Sequence, residues 1–224
     1  MDEVPMIGVG VTTYRRPEMF IKFRENFNRF ATLDEDQLLV VVVDDSQTKR
    51  GVAASKNKCI ARLMEDDRVE HLFLFDEDTW PVAEHWWIPY VWSTQPHLSY
   101  LFKPRWDPDA RLEVKDSYLF AHPMGNGCMQ YFSRSCIETV GGFRPQFGRW
   151  GYEHLEHSWR IWKMGLTIAP FQGLVAQEGL FYASDEHEDN ISAVPDYIRK
   201  PFAQERNADL YRYWRDKKEF VPYE

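Results

Sequence analysis

The sequence has 224 residues and a net charge of −8, which together limit the kinds of protein it can encode. A domain of this size buries roughly 70% of the surface of its unfolded chain, so neither disulfides nor a structural metal is needed to stabilise it. The negative charge argues against a protein that coats nucleic acid through bulk charge, although a local basic groove remains compatible with it.

The three cysteines, Cys59, Cys128 and Cys136, are odd in number and lack the spacing of metal ligands. We therefore expect free thiols in a reducing compartment. The N-terminus carries no positive region followed by an apolar signal core, and no apolar stretch is long enough to span a membrane. The expected location is the cytoplasm.

The first part of the chain predicts a β-α-β-α-β unit. A β-rich segment precedes a helix that starts at Pro17 and places Phe20, Phe23, Phe27 and Phe30 on one face. Unbroken apolar runs then predict two strands that are covered on both faces. The predicted elements are a strand over 6–13, a helix from 17, a strand over 38–43, a helix over 52–65 and a strand over 71–75.

Both later strands of this unit end on carboxylates, Asp44 and Asp45 after the second and Asp76 and Asp78 after the third. Residues two apart in a strand point to the same side, so Asp76 and Asp78 are predicted to project together at the carboxyl end, where open α/β sheets bind ligands. Such oxygens suit Mg²⁺ or Mn²⁺ and a diphosphate, although a solvated Asp-rich turn is the alternative. By the same alternation, Glu77 faces away and is predicted to be dispensable.

The pattern loosens after Pro81. Ser133 is the predicted N-cap of a short helix that ends at Gly141, and a later helix over 152–164 ends at Gly165. The other predicted elements are a helix over 83–92, strands over 99–103, 117–122, 128–132, 166–171 and 173–177, and a helix over 203–218.

Short segments spread along the chain follow one another in an order that is typical of one family. The segments are Thr12-Thr-Tyr14, Asp44-Asp-Ser46, Gly51-Val-Ala-Ala-Ser-Lys-Asn57, Phe75-Asp-Glu-Asp78, Val140-Gly-Gly-Phe143 and Trp150-Gly-Tyr-Glu153. Together they resemble the GT-A fold glycosyltransferases, nearest to family 2. The last segment also resembles the Trp-Gly-x-Glu region of galactosyl- and N-acetylgalactosaminyltransferases, and the resemblance covers residues 6–190.

This resemblance implies an α/β fold, a GT-A-like, Rossmann-type mixed sheet flanked by helices, in a single domain with a C-terminal helical tail. Residues 1–195 would form the catalytic domain, with a nucleotide-binding half over 1–80 and an acceptor half over 81–195. Residues 196–224 would form a C-terminal helical extension.

The resemblance also implies which residues bind the sugar donor. Asp76 and Asp78 would hold the Mn²⁺ or Mg²⁺ that bridges the donor diphosphate, with Asp76 also near the ribose. His187 or Gln177 would supply a third ligand, although a solvated loop is the alternative for His187. The nucleotide contacts implied in this way are Thr13, Arg15, Asp44, Asp45, Lys56, Asn57 and Asp76.

In inverting members of the family, an acid at the start of the late helix takes the proton from the acceptor hydroxyl. Glu153 matches that position in type and is favoured over His154, although either residue could be the base. Further along this helix, Glu156, His157 and Arg160 are predicted to lie on a solvated face with charge pairs. The predicted acceptor contacts are Asn126, Gly127, Trp150 and Gly151.

The implied activity is metal-dependent transfer of a hexose from a nucleoside diphosphate donor, expected to be a UDP-sugar, to a hydroxyl acceptor with inversion. Small enzymes of this kind occur in bacteriophages, where some glycosylate hydroxymethylated DNA bases; a surface glycan or a lipid-linked acceptor is the alternative. A nucleotidyltransferase or a non-catalytic nucleotide-sugar-binding domain also remains open. The loop residues that could contact DNA phosphates are Arg15, Arg16, Lys49, Arg50, Lys103, Arg105, Arg111 and Lys115.

Overall fold

The first part of the chain forms the predicted β-α-β-α-β unit. The computed structural model describes residues 6–102, 113–115, 117–187 and 203–223. Each boundary of the unit lies within about two residues of its predicted position, which is the usual uncertainty of helix and strand ends. The elements are β1 (Met6–Thr13), α1 (Pro17–Phe30), β2 (Leu38–Asp44), α2 (Val52–Met64) and β3 (Val69–Asp76).

The second part has short strands separated by loops. Ser133 caps the helix over Arg134–Val140 as predicted, since the Ser133 hydroxyl accepts from the Cys136 amide at 3.2 Å. Single 3₁₀ turns cover Pro145–Phe147 and Val175–Gln177. The elements are β4 (Thr79–Pro81), α3 (Ile88–Trp92), β5 (His97–Ser99), β6 (Glu113–Val114), β7 (Leu119–Ala121), β8 (Met129–Ser133), α4 (Arg134–Val140), α5 (Glu153–Lys163), β9 (Gln172–Leu174), β10 (Phe181–Ala183) and α6 (Ala203–Trp214).

The predicted strands of this second part differ from the observed ones in presence or in bounds. Residues 166–171 form no strand, because side chains there bond to nearby backbone: the Thr167 hydroxyl donates to the Ala169 carbonyl at 2.9 Å. The strand predicted over 173–177 is β9 followed by a 3₁₀ turn, and the strand predicted over 99–103 begins and ends earlier, as β5. The β4–β10 pair was not predicted.

The main sheet has the strand order β2-β1-β3-β8-β5. The strands β1, β2 and β3 are parallel, and β8 runs antiparallel to β3. Two small sheets, β10-β4 and β6-β7-β9, lie beside it. The mixed, helix-flanked sheet confirms the predicted fold class, and β3 lies at its centre.

The two faces of the sheet are covered by different kinds of side chain. Phe73 and Phe75 point to an aromatic layer that includes residues of α1 and α3, whereas Leu72 and Leu74 point to a mainly aliphatic layer against α2 and α4. The alternation along β3 therefore divides the core in two. It also accounts for much of the high aromatic content, which packs in the core.

Two glycines of β1 let α2 approach the sheet closely. A Cβ on Gly10 would lie 2.7 Å from Cβ of Cys59 and 2.7 Å from a methyl group of Leu74. Gly8 is similarly crowded by Val69 and Leu63. The helix therefore rests almost on the backbone of β1, and this brings its first turns to the carboxyl ends of β1 and β3.

In the part of the chain that the structure describes, no helix is both long and apolar enough to cross a bilayer. All three cysteines are free, as predicted, and all three are buried.

Candidate active site

A cavity of about 250 Å³ opens at the carboxyl end of β3. Its wall brings together residues from β3, from the loop before β8 and from the start of α5. Seven residues predicted for the site line it, namely Asp76, Asn126, Gly127, Trp150, Gly151, Glu153 and His154. Sequence reasoning missed other lining residues, among them His122, Met124, Tyr152 and Asp185.

Lys56 lies beneath this cavity with a side chain that is 0% exposed. Its Nζ donates to the Gly127 carbonyl at 2.7 Å and lies 3.2 Å from Oδ1 of Asp76. Burial lowers the pKa of Lys56, but Asp76 and Glu153 outweigh it and raise the pKa above its ordinary value. The ammonium therefore stays charged and joins β3 to the loop before β8.

Asp76 is the acid that reaches the cavity from β3, and its side chain is 30% exposed. The Thr12 hydroxyl donates to its Oδ1 at 3.0 Å, and its own amide donates to the Cys128 carbonyl at 2.8 Å. Burial and the nearby carboxylates Asp78 and Glu153 raise the pKa of Asp76, although Lys56 opposes this shift. Acidic groups are thus crowded at this end of the sheet, which favours a bound cation.

Glu77 and Asp78 share one cation, Arg16. The guanidinium lies 2.5 Å from Oε1 of Glu77 and 2.9 Å from Oδ2 of Asp78, while the Tyr14 amide donates to Oε2 of Glu77 at 2.9 Å. Since β3 ends at Asp76, the alternation that predicted Asp76 and Asp78 on one side stops there. Glu77 is 2% exposed and holds the loop between β1 and α1, a structural role that the predicted dispensability did not include.

The carboxylates of Asp76 and Asp78 fit a divalent ion only in part. Each has one oxygen paired with a cation, which leaves Oδ2 of Asp76 and Oδ1 of Asp78 without hydrogen bonds to the described residues. Hard oxygens of this kind suit Mn²⁺ or Mg²⁺ when a diphosphate completes the coordination. Across the described ranges, however, no three side chains of His, Cys, Asp or Glu gather closely enough to hold a metal on their own.

The structure does not bring either predicted third ligand to these acids. His187 is exposed and stacks on the Tyr182 ring at 4.7 Å, on the side of the small β4–β10 sheet. Gln177 is buried, and its amide nitrogen donates to the Leu101 carbonyl at 2.5 Å. Both side chains are used for packing or backbone contacts.

Glu153 and His154 form a pair at the first turn of α5. Nδ1 of His154 lies 3.2 Å from Oε1 of Glu153. The His154 side chain is 20% exposed and the Glu153 side chain 5% exposed. Burial opposes the ionisation of Glu153, but His154 and Lys56 outweigh it and lower the pKa of the carboxyl. A Cβ on Gly127 would lie 2.7 Å from the His154 ring, so glycine is required where the ring packs on this loop.

The following turns of α5 anchor this pair rather than facing water. Glu156, His157 and Arg160 are 0% exposed, so the predicted solvated face was wrong. Arg160 donates to the carbonyls of Val140 and Gly142, and His157 Nε2 lies 3.0 Å from the Gly141 carbonyl. The last carbonyls of α4 need donors, and α5 supplies them.

The ends of β1 and β2 hold the remaining predicted nucleotide contacts, outside the cavity wall. Asp45 is buried and accepts from the amides of Arg50 and Gly51 at 2.9 and 2.8 Å, so it caps the turn before α2. Asp44 and Arg15 are exposed at this rim, and Thr13 is half-buried beside them. Of the predicted nucleotide contacts at these two strand ends, Asp44, Arg15 and Thr13 therefore offer surface to a nucleotide.

Asn57 is also placed differently from its predicted role. Its amide nitrogen donates to the Phe143 carbonyl at 2.8 Å, and its oxygen accepts from the Phe143 amide at 2.7 Å. With 7% exposure, both polar atoms are used by the backbone rather than offered to a nucleotide. Asn57 thus fixes the segment after α4 against α2.

The mixed sheet with its flanking helices has a GT-A-like α/β fold. No family model matches the sequence, and no curated protein matches it. The similarity therefore lies in the three-dimensional structure.

Two solved glycosyltransferases illustrate that similarity. The mannosyltransferase PcManGT from Pyrobaculum calidifontis, in complex with GDP-Man and Mn²⁺, is 18% identical with a TM-score of 0.58, over 96% of this chain and 64% of that one. The β1,4-galactosyltransferase 7 of Drosophila, in complex with manganese, UDP-Gal and xylobiose, is 17% identical with a TM-score of 0.57, over 98% of this chain and 83% of that one. At these identities the likeness defines the fold, and this chain spans less than two thirds of the mannosyltransferase.

Proposed function

We propose that this protein is a metal-dependent glycosyltransferase that moves a sugar from a nucleoside diphosphate donor to a hydroxyl acceptor. The observation that carries this proposal is the meeting of Asp76 with Glu153 and His154 in one cavity. A cation site beside a proton acceptor is what transfer from a diphosphate to a hydroxyl requires. The two similar structures, with their Mn²⁺ and nucleotide sugars, support the same class of donor.

On the donor side, Asp76 and Asp78 would hold Mn²⁺, which supplies positive charge that offsets the charge developing on the leaving diphosphate. Lys56 keeps Asp76 in place, and Arg16 does the same for Asp78. Asp44, Arg15 and Thr13 remain the proposed nucleoside contacts, since their side chains lie at the rim where β1 and β2 end.

On the acceptor side, the geometry favours His154 over Glu153 as the base. Glu153 is the more deeply buried of the two, and its lowered pKa makes it a weak proton acceptor. Its carboxylate contacts Nδ1 of His154, which leaves Nε2 to take the proton of the acceptor hydroxyl. Glu153 then orients the ring through Nδ1, as the buried acid does in a catalytic triad.

The lining also favours an uncharged acceptor. None of the described residues that line the cavity is Lys or Arg, whereas Asp76, Glu153 and Asp185 are acidic. Trp150 and Tyr152 offer aromatic rings of the kind that pack against sugars. We therefore propose a carbohydrate hydroxyl rather than a base in DNA. Of the predicted DNA-contacting residues, Arg16 is paired with two acids, and Lys103, Arg105 and Arg111 lie outside the described residues.

The decisive experiment measures thermal shifts with GDP-mannose, UDP-galactose and UDP-glucose in the presence of Mn²⁺, for the unmodified protein and for Asp78→Ala. We expect one donor to stabilise the unmodified protein and to lose most of that effect in the variant. A shift that survives Asp78→Ala would contradict the metal role. Binding without metal-dependent release of nucleoside diphosphate would favour a non-catalytic domain, and release of pyrophosphate from a nucleoside triphosphate would favour a nucleotidyltransferase.

Acceptor and base are tested in the same assay. A panel of p-nitrophenyl glycosides and hydroxymethylated duplex DNA serve as acceptor probes, and turnover with DNA alone would contradict the carbohydrate proposal. His154→Gln removes the proton acceptor and should lower turnover by about 10²- to 10⁴-fold while donor binding persists. A larger loss of turnover in Glu153→Gln than in His154→Gln would identify Glu153 as the base.

A further inference from the structure

The loop that follows the 3₁₀ turn Pro145–Phe147 carries two residues of the cavity wall, Trp150 and Gly151. Its backbone bends through positive φ angles of 69° at Gly148 and 93° at Gly151. One long hydrogen bond, from the Val52 amide to the Arg149 carbonyl at 3.4 Å, joins it to the start of α2. A segment of this shape needs further partners for its carbonyl groups, because it forms no regular ladder.

Those partners come from a single side chain on α6. The amide nitrogen of Asn207 lies 2.9, 2.8 and 3.0 Å from the carbonyl oxygens of Phe147, Trp150 and Gly151, so its two N–H groups are shared among three acceptors. Asn207 is 1% exposed, so water does not compete for these bonds. Three carbonyl oxygens around one atom require a donor there, and this fixes the orientation of the amide.

Neighbouring contacts hold α6 in register with this loop. On the same helix, Arg206 donates to the Gln146 carbonyl at 3.1 Å. At the end of α6, the Arg144 guanidinium lies over the Trp214 ring at 4.0 Å and pairs with Glu219 at 2.9 Å. Together with the hydrogen bonds of Asn207, these contacts fix the position of α6 relative to the segment 144–151.

Beyond α6 the chain is tied to the same region by its backbone. The Val221 amide donates to the Val140 carbonyl at 3.1 Å, and the Gly142 amide donates to the Val221 carbonyl at 2.8 Å. Arg160 of α5 also donates to the carbonyls of Val140 and Gly142. The segment 140–142 therefore binds both α5 and the chain that follows α6. The position of Asn207 is therefore determined relative to α5.

We infer that Asn207 is a positioning residue for the acceptor, which acts by holding the backbone of Trp150 and Gly151 at the cavity wall. This inference rests on the proposed transferase function. It assigns α6 to the acceptor site, whereas the sequence predicted a C-terminal helical extension with no role in that site. The residue acts through the loop and touches no substrate itself.

The chemistry of the amide gives the inference a sharp test. Asn207→Asp keeps the shape but replaces the donating nitrogen by an oxygen that three carbonyls repel. Asn207→Ala removes the donor without adding charge, and it remains informative if the Asp variant fails to fold. Asp209→Asn, on the exposed side of α6, is the matched surface control. Ile137→Ala, at a buried position within α4, controls for loss of stability alone.

Two readouts are needed, and the first does not depend on turnover. Hydrogen exchange followed by mass spectrometry should show exchange over residues 145–152 accelerated by about tenfold or more in Asn207→Ala, with residues 52–64 unchanged. Ile137→Ala should accelerate exchange in its own surroundings without this local pattern. Unchanged exchange over 145–152 would overturn the inference.

The second readout separates acceptor from donor. With the p-nitrophenyl glycoside that supports most turnover, Asn207→Ala should raise the acceptor KM on the order of 10- to 100-fold, because a small misplacement of a positioning segment is costly. The donor KM should change less than about twofold. Equal changes in both KM values, or a similar acceptor effect in Ile137→Ala, would contradict a positioning role. Absence of turnover in the unmodified protein would instead contradict the proposed function. The hydrogen-exchange readout does not depend on turnover, so it tests the role of Asn207 in either case.

Discussion

Two strands of the sheet end on carboxylates, and the structure uses the two ends differently. After β2, Asp45 accepts from neutral backbone amides of its own turn. After β3, Asp76 and Asp78 each pair with a cation, Lys56 and Arg16. The first end stabilises a turn, whereas the second forms one wall of the cavity.

The place of each strand in the sheet explains the difference. β2 is an edge strand, whereas β3 lies between β1 and β8, so the loop before β8 and the start of α5 can close over its end. A carboxylate at a strand end therefore becomes a site residue when other elements converge on it. The presence of neighbouring acids does not decide this by itself, because the sequence has them at both ends.

The largest effect that tests this comparison is expected for Asp76→Asn. The amide oxygen can still accept from the Thr12 hydroxyl and from the Lys56 ammonium, so both contacts can persist while the charge facing the cavity is lost. We expect turnover of the sugar nucleotide with Mn²⁺ to fall on the order of 10³-fold, measured as release of nucleoside diphosphate. Asp45→Asn is the matched control at the other strand end. Turnover within about threefold of the unmodified protein in Asp76→Asn would break the comparison.

A second, smaller effect is expected for Asp45→Ala, and it should appear in stability. The substitution leaves the buried Gly51 amide and the partly buried Arg50 amide without their acceptor, which costs about 2–3 kcal/mol of unfolding free energy. Urea unfolding measures this loss, and turnover per folded molecule should change less than about threefold. A rise of the donor KM without a loss of stability would instead place Asp45 in contact with the nucleoside.

The fold around β3 was predictable because its signals are continuous in the sequence. Each apolar run or helix face is complete within one element, so local pattern decides it. The burial of Lys56 also had a local signal, since it shares the apolar face of α2 with Ala53, Ile60 and Leu63. The short strands of the second part had no such signal, because segments of three residues carry little periodicity.

The polar contacts that shape the site could not be predicted in the same way. Asn57 and Phe143 are 86 residues apart, and nothing near Asn57 indicates that a backbone segment will occupy its amide. The spacing of Glu156, His157 and Arg160 is equally compatible with a solvated face and with donors to the end of α4. Such roles depend on which elements meet in three dimensions.

The smallest effect is expected for Asp44→Asn, which compares Asp44 with its neighbour Asp45 at the end of β2. Asp44 is exposed and accepts only from the Ser46 amide among the described residues, so unfolding free energy should change by less than about 0.5 kcal/mol. As a proposed nucleoside contact, its loss should raise the donor KM by about two- to tenfold, the value of one hydrogen bond. Steady-state kinetics with varied donor measures this, with Asp36→Asn as a surface control. A rise as large as the loss in Asp76→Asn would mean that both strand ends serve the donor equally, and the distinction between a capping end and a catalytic end would then fail.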